Sequence, residues 1–127
     1  MHLEGHEKAV LCIEFHKKNR IIISGSADRT VKVWRPNTTW KCVLTLLGHT
    51  DKIRSVCFIT HSLVASGGDD CTVRLWNIEG VGACLFTINL ETKRVVALTT
   101  NGSDLIVAAG NSIQTIETVT FKNESTV

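Results

Sequence analysis

Ser, His and Asp occur together twice in this chain, as His6, Ser24 and Asp28 and again as His49, Ser66 and Asp70. These are the types of a hydrolytic relay, in which a carboxylate orients an imidazole that takes the proton from a nucleophilic hydroxyl. Such a relay is defined by an exposed nucleophile beside an oxyanion hole, not by the presence of three residue types. No stretch of the chain resembles a nucleophile elbow, and each set is joined by a tryptophan, Trp34 and Trp76. A duplicated set with an indole added each time reads as structure and not as catalysis, so no catalytic residue is assigned.

The repeat that carries these residues dictates the elements around them. Gly5-His6 opens a stretch ending in SADRTVKVW at residue 34, and Gly48-His49 opens one ending in GDDCTVRLW at residue 76. The Gly-His pairs lie 43 residues apart and the tryptophans 42. A fixed period of this size marks a unit that cannot bury its apolar face alone and stacks on copies of itself. Within each unit the apolar residues alternate with the period of a strand. Val10, Ile13 and Phe15 make one run, Ile21 to Ile23 a second, Val31, Val33 and Trp34 a third, and Cys42 to Leu46 a fourth. Turn chemistry at 17–20 and 26–29 separates them. The second unit repeats the order with Phe58 matching Phe15, Ser66 matching Ser24, Asp70 matching Asp28 and Cys84 matching Cys42. A third unit follows from Arg94 and has lost its landmarks. A constant offset places Glu91 where His49 stands and Ala108 where Ser66 stands, and a two-residue deletion in the turn places Ile116 where Trp76 stands.

Gly-His, then Ser-Gly-Ser or Ser-Gly-Gly, then Asp, then Thr-Val-Lys-Val-Trp, is similar to the WD-repeat family of β-propellers. The Asp that normally follows the tryptophan is Arg35 in one copy and Asn77 in the other. The resemblance implies an all-β fold of antiparallel four-stranded propeller blades. Residues 1–127 would form a partial propeller, with blade 1 at 5–47, blade 2 at 48–90, a degenerate blade 3 at 91–122 and a frayed tail at 123–127. It also implies a hydrogen-bonded relay within each blade, His6, Ser24, Asp28 and Trp34 in the first and His49, Ser66, Asp70 and Trp76 in the second. An indole N–H only donates and a carboxylate only accepts, while a hydroxyl and an imidazole do both, so the four close a chain. Breaking one link should cost roughly 1 to 3 kcal/mol.

A propeller usually needs about four to eight blades to close, so two good units and one eroded unit describe an open arc and not a ring. Met1-His2-Leu3-Glu4 resembles the end of a strand that would precede Gly-His. The expectation is therefore the C-terminal portion of a longer propeller protein, a fragment or a short isoform, with a small self-assembling protein as the alternative. An arc exposes two blade faces that a ring would bury. Both are expected to be apolar and to be covered by missing blades or by self-association.

Composition agrees with a folded chain and assigns neither cofactor nor metal. Apolar residues make up 43% and charged residues 20%, ordinary for a globular protein. No run approaches the length of a membrane helix, and the start is too polar for a secretory signal. The cysteines, Cys12, Cys42, Cys57, Cys71 and Cys84, form no Cys-x-x-Cys pair and read as reduced thiols of a cytoplasmic or nuclear protein. Sequons at Asn37, Asn101 and Asn123 read as turn sequences. A net charge of +2, with one basic cluster at 16–20 lacking a stacking aromatic, argues against nucleic acid as a partner.

Family resemblance implies a rigid disc that binds proteins or peptides on its top face. By position, Lys8, Arg29, Lys52, Arg54, Asp69 and Cys71 would supply contacts. The leading expectation is a protein-interaction scaffold or adaptor. The alternatives are the substrate-recognition part of an F-box type ubiquitin-ligase adaptor and an RNA-processing or ribosome-assembly component. An enzyme would need a set of pocket residues that the sequence does not display.

Overall fold

The structure is a computed structural model in which residues 2–118 are described; the expected tail at 123–127, the last residues of the third unit and the Asn123 sequon lie outside them. Eleven strands and no helix are present among the described residues. Sheet one holds β1 (Val10–His16), β2 (Ile21–Ser26), β3 (Val31–Pro36) and β4 (Trp40–Leu46), and sheet two holds β5 (Ile53–Phe58), β6 (Leu63–Gly68), β7 (Thr72–Asn77) and β8 (Ala83–Asn89). Sheet three holds β9 (Val95–Thr100), β10 (Asp104–Ala109) and β11 (Ser112–Glu117). All pairings are antiparallel between neighbours in sequence, as hairpins require.

The sheets stack in chain order, and the core lies between them. Ile21, Ile23, Val31 and Val33 of sheet one meet Ile53, Val56, Phe58 and Trp76 of sheet two. On its other face sheet two sets Leu63, Ala65, Val73 and Leu75 against Val95, Leu98, Leu105 and Val107 of sheet three. Period-2 alternation decides this, because each strand sends successive side chains to opposite faces and so into two different interfaces. The arrangement is an open series of antiparallel sheets, not a closed sheet.

Close stacking needs glycine at one position of the second strand. A Cβ added at Gly25 would stand 2.6 Å from Ile53 Cγ2, and one at Gly67 would stand 2.6 Å from Val95 Cγ1. The first strand of the next sheet thus rides directly over backbone.

Two expectations need correction. Register places Val107, not Ala108, at the position of Ser66: Ser66 pairs with Val56 two places beyond the Ile53 bulge, and Val107 pairs with Leu98 two places beyond the Val95 bulge. Ile116 does match Trp76, since Trp76 pairs with Val64 and Ile116 with the equivalent Leu105. The shortening is therefore one residue in each of the two hairpins and not two in one turn, which a constant offset could not reveal. The second correction concerns the outer faces. That of sheet one is apolar, whereas that of sheet three alternates Ile106 and Ile113 with Thr99, Asp104, Thr115 and Glu117.

Candidate functional site

The repeated sets assemble at the end of each sheet where the chain enters the first strand and turns from the second strand to the third. Ser26 fixes this end in sheet one by donating to the Ala9 carbonyl at 2.9 Å and accepting from the Asp28 N–H at 3.0 Å. Arg29 (φ 73°) and Cys71 (φ 64°) take the left-handed conformation that tightens the two equivalent turns. The glycine of each Gly-His pair lets backbone approach the indole: a Cβ at Gly5 would lie 3.3 Å from Trp34 Cη2, and one at Gly48 3.3 Å from Trp76 Cη2.

The structure brings together both groups of four. In sheet two, Trp76 Nε1 donates to Ser66 Oγ at 2.8 Å, Ser66 Oγ lies 2.7 Å from His49 Nε2, and His49 Nδ1 lies 2.8 Å from Asp70 Oδ2. In sheet one the matching separations are 2.9 Å for Trp34 to Ser24, 2.7 Å for Ser24 to His6 and 2.9 Å for His6 to Asp28. One proton arrangement satisfies every member. The serine accepts from the indole and gives its only proton to Nε2, so the imidazole is neutral and donates from Nδ1 to the carboxylate.

Each carboxylate is held by more donors than sequence reasoning assigned. Asp28 accepts from Thr30 Oγ1 at 2.6 Å and from the N–H groups of Thr30 and Glu7 at 2.9 and 3.0 Å. Asp70 accepts from Thr72 Oγ1 at 2.8 Å and from the N–H groups of Thr72 and Thr50, both at 3.1 Å. Thr30 and Thr72 were missed, although the repeated Asp-x-Thr of 28–30 and 70–72 carried the signal. Burial works to raise both carboxyls, but hydrogen bonds from threonine, histidine and backbone at Asp28, and the electrostatic pull of His49 together with such bonds at Asp70, outweigh it and hold both below the usual carboxylate range. Burial pushes the His49 imidazole below its ordinary value against the pull of Asp70, which agrees with a neutral ring.

The serine oxygens of both sets are taken up within the relay. Ser66 is fully buried and Ser24 nearly so, and each oxygen is already engaged by an indole and an imidazole. No group of three or more His, Cys, Asp or Glu residues suited to a metal ion occurs among the described residues. Burial raises the Cys12 thiol to about 11 and the Cys57 thiol to about 12, so neither is a nucleophile at neutral pH.

The six rim candidates divide. Arg54 and Asp69 form a two-pronged ion pair, Nε to Oδ1 at 3.0 Å and Nη2 to Oδ2 at 2.9 Å. This pair holds Asp69 below the carboxylate range, with Arg94 and Lys52 adding to the effect. Arg94 is thus a rim cation that the sequence reading passed over. Lys8, Arg29 and Lys52 are exposed. Cys71 is half-buried, its carbonyl accepting from Leu90 N–H at 2.8 Å, and it contributes more to its turn than to a surface.

The family described as "WD domain, G-beta repeat" matches residues 1–35 and 40–77, more than half of the chain. The chain belongs to the WD40 repeat family. Among curated relatives, Pre-mRNA-processing factor 19 of Oryza sativa subsp. japonica is 34% identical over 56 residues, covering 42% of this chain and 11% of that protein. Coatomer subunit beta'-2 of Arabidopsis thaliana is 41% identical over 58 residues, covering 44% of this chain and 6% of the relative. The chain thus spans about a tenth of these relatives or less. The crystal structure of the C-terminal WD40 domain of Sif2 superposes with a TM-score of 0.84 at 21% identity, covering 94% of this chain and 34% of that one, which establishes the WD40 propeller fold for the stacked sheets. No helix among the described residues is long and apolar enough to cross a membrane.

Proposed function

We propose that this chain is a protein-interaction scaffold of the WD-repeat type, binding proteins or peptides along the rim where the first strands begin and the second hairpins turn. The observation that carries the reading is the fate of the Ser, His and Asp residues: in both sets they bond one another, the second set buried between sheets and the first bordering the open cavity, which makes them a brace for the rim loops. Each group of four acts as a brace that fixes one rim loop to one tryptophan-bearing strand. Stacking brings Arg94 and Lys52 near the Arg54–Asp69 pair, with Asp51 also close to Arg54, while Lys8 and Arg29 stand exposed on the loops of the first sheet. Long cationic side chains grouped on a braced rim suit recognition of an acidic or carboxylate-bearing segment. The relatives' own names point to different assemblies, a pre-mRNA-processing factor and a coatomer subunit, as expected when a shared module takes its specificity from loops.

The test compares the wild-type chain with an Arg54→Glu/Arg94→Glu variant in quantitative affinity capture from cell extract, after matching their thermal midpoints. Proteins captured by wild type and lost from the variant are the expected result. Identical captured sets, or a hydrolytic activity abolished by Ser66→Ala in a stably folded protein, would overturn the reading.

A further inference from the structure

Charge is sorted along the end of the stack opposite the braced rim. In sheet one that end is formed by the β1–β2 hairpin, where His16 pairs with Ile21, and by the β3–β4 hairpin, where Arg35 pairs with Lys41 and Pro36 with Trp40. Lys17, Lys18, Arg20 and Lys41 are exposed there, and Arg35 reaches the Ile78 carbonyl of the neighbouring unit at 3.4 Å. Among the described residues none of these cations is in an ion pair. Glu14 is the only carboxylate on the strands of sheet one, and its field is felt at Cys57 of sheet two. The same end of sheet two carries Thr60, His61, Ser62 and Glu79, and that of sheet three sets Asp104 opposite Glu117. The net charge of +2 hides this sorting, because it sums a basic end of one sheet with an acidic end of another.

We propose that this end of sheet one binds single-stranded RNA, with phosphates on Lys17, Lys18, Arg20 and Lys41 and a base on Trp40. Two features set it apart from ordinary solvated surface. Like charges directly opposite on neighbouring strands, as Arg35 and Lys41 are, destabilise a sheet. Arg20 holds φ 54°, a left-handed conformation that glycine adopts without strain. Its N–H closes the hairpin on the His16 carbonyl at 2.8 Å, and the Asn19 N–H donates to His16 Nδ1 at 3.2 Å. The turn is thus pinned with a cation at its strained position, where glycine would relieve the backbone.

The hairpin sequence has no stacking aromatic, but the fold brings one. Trp40 stands half-buried beside Lys41, edge-to-face with Phe15 at a centroid distance of 6.4 Å, and Phe15 is two residues from Lys17. Cations beside an indole are the combination that holds single strands, since phosphates take the charge and an unstacked base takes the ring. A duplex keeps its bases stacked and offers Trp40 nothing. An acidic peptide would use the cations and leave the indole idle. Exposed Asn37, Thr38 and Thr39, just before Trp40, supply hydrogen-bonding groups for a 2′-hydroxyl, which favours RNA over DNA.

Fluorescence anisotropy of a labelled, mixed-sequence RNA strand of about 15 nucleotides tests the assignment on the full chain. The RNA should bind with an affinity that falls steeply as salt rises, and Lys17→Glu/Lys18→Glu should weaken it about tenfold or more and flatten the salt dependence. Arg20→Gly should weaken binding while raising the melting temperature, a combination that a purely structural role for Arg20 would not give. Trp40→Leu, checked for folding by its thermal midpoint, should weaken binding several-fold at an unchanged salt slope. No binding up to about 100 µM protein overturns the assignment. An affinity unmoved by Lys17→Glu/Lys18→Glu, Arg20→Gly or Trp40→Leu, or equal binding of DNA of the same sequence, overturns it too. So does polyglutamate bound as tightly through the same lysines, which would make an acidic protein segment the occupant. Arg54→Glu/Arg94→Glu should leave RNA binding intact, because those residues lie at the opposite end, so this site and the scaffold rim fail or succeed independently.

Discussion

Ser66→Ala removes one oxygen and orphans two groups. Ser66 Oγ accepts the Trp76 indole N–H at 2.8 Å and meets His49 Nε2 at 2.7 Å, and all three side chains are buried between sheets one and two. Alanine fits the space, so packing changes little. The indole N–H and the imidazole nitrogen then lie in a dry site with nothing in reach, at about 1 to 3 kcal/mol each. The expected loss is about 2 to 5 kcal/mol, a large part of the roughly 5 to 15 kcal/mol of a typical domain. Ser24→Ala removes the same two bonds in sheet one, but Trp34 and Ser24 border the open cavity, where water can replace the lost partner, so its cost should be about half. Urea unfolding followed by tryptophan fluorescence and far-ultraviolet circular dichroism measures both variants, with coincident transitions and unchanged slopes as the control. A Ser66→Ala loss below about 0.5 kcal/mol, or a Ser24→Ala loss exceeding it, would refute the reasoning.

Gly67→Ala should destabilise by roughly 1 to 3 kcal/mol through the 2.6 Å approach of Val95 Cγ1, and Val95→Ala should rescue part of the loss in a thermal-melt cycle. Acid should lower stability in two steps. The folded His49 value is depressed, so the unfolded state binds the extra proton and stability falls as pH drops below about 6.5. The Asp28 and Asp70 values are also depressed, so their contribution is intact above about 3.8 and is lost as pH falls below it; a flat melting temperature from pH 7 to pH 5 would contradict the first step. Iodoacetamide at pH 7.5 should modify exposed Cys84 first and spare Cys12 and Cys57, whose thiols burial keeps protonated, as read by mass spectrometry of timed aliquots.

Strand order and the two groups of four were legible because each depends on residue types at fixed spacing. Alternation named the strands, and Gly-His, Ser, Asp and Trp recurred at an almost constant interval. What escaped the sequence depends on register and on neighbours. The bulges at Val10/Cys12 and Ile53/Ser55 shift which side chains share a face, and no count of residues reveals that one position is dropped from each hairpin of sheet three. Thr30 and Thr72 looked like ordinary strand residues until their hydroxyls were seen on the carboxylates at 2.6 and 2.8 Å. Arg54 and Asp69 stand fifteen residues apart, and only the hairpin that joins their strands makes them a pair. The outer faces were misjudged as alike because alternation tells which residues share a face but not what lies opposite.

Sheet three shows why the relay is lost as a set. A single deletion strands a buried donor or acceptor, whereas replacing all members with groups that need no partner leaves nothing unsatisfied. Register puts Val107 at the serine position and Ile116 at the tryptophan position, an exposed Glu91 stands at the offset of the buried His49, and the two-residue turn Gly110-Asn111 has no aspartate. Val107 packs with Leu98 and Leu105 in the interface with sheet two, so the position that carries polar wiring in the first two sheets carries only apolar contact in the third. The brace that shapes the rim loops of sheets one and two is absent there, and the turn shrinks to a tight hairpin opened by Gly110 at φ 59°. A loop that need not be held in shape need not keep four residues to hold it, and the third sheet keeps the apolar positions that bury the face of the second.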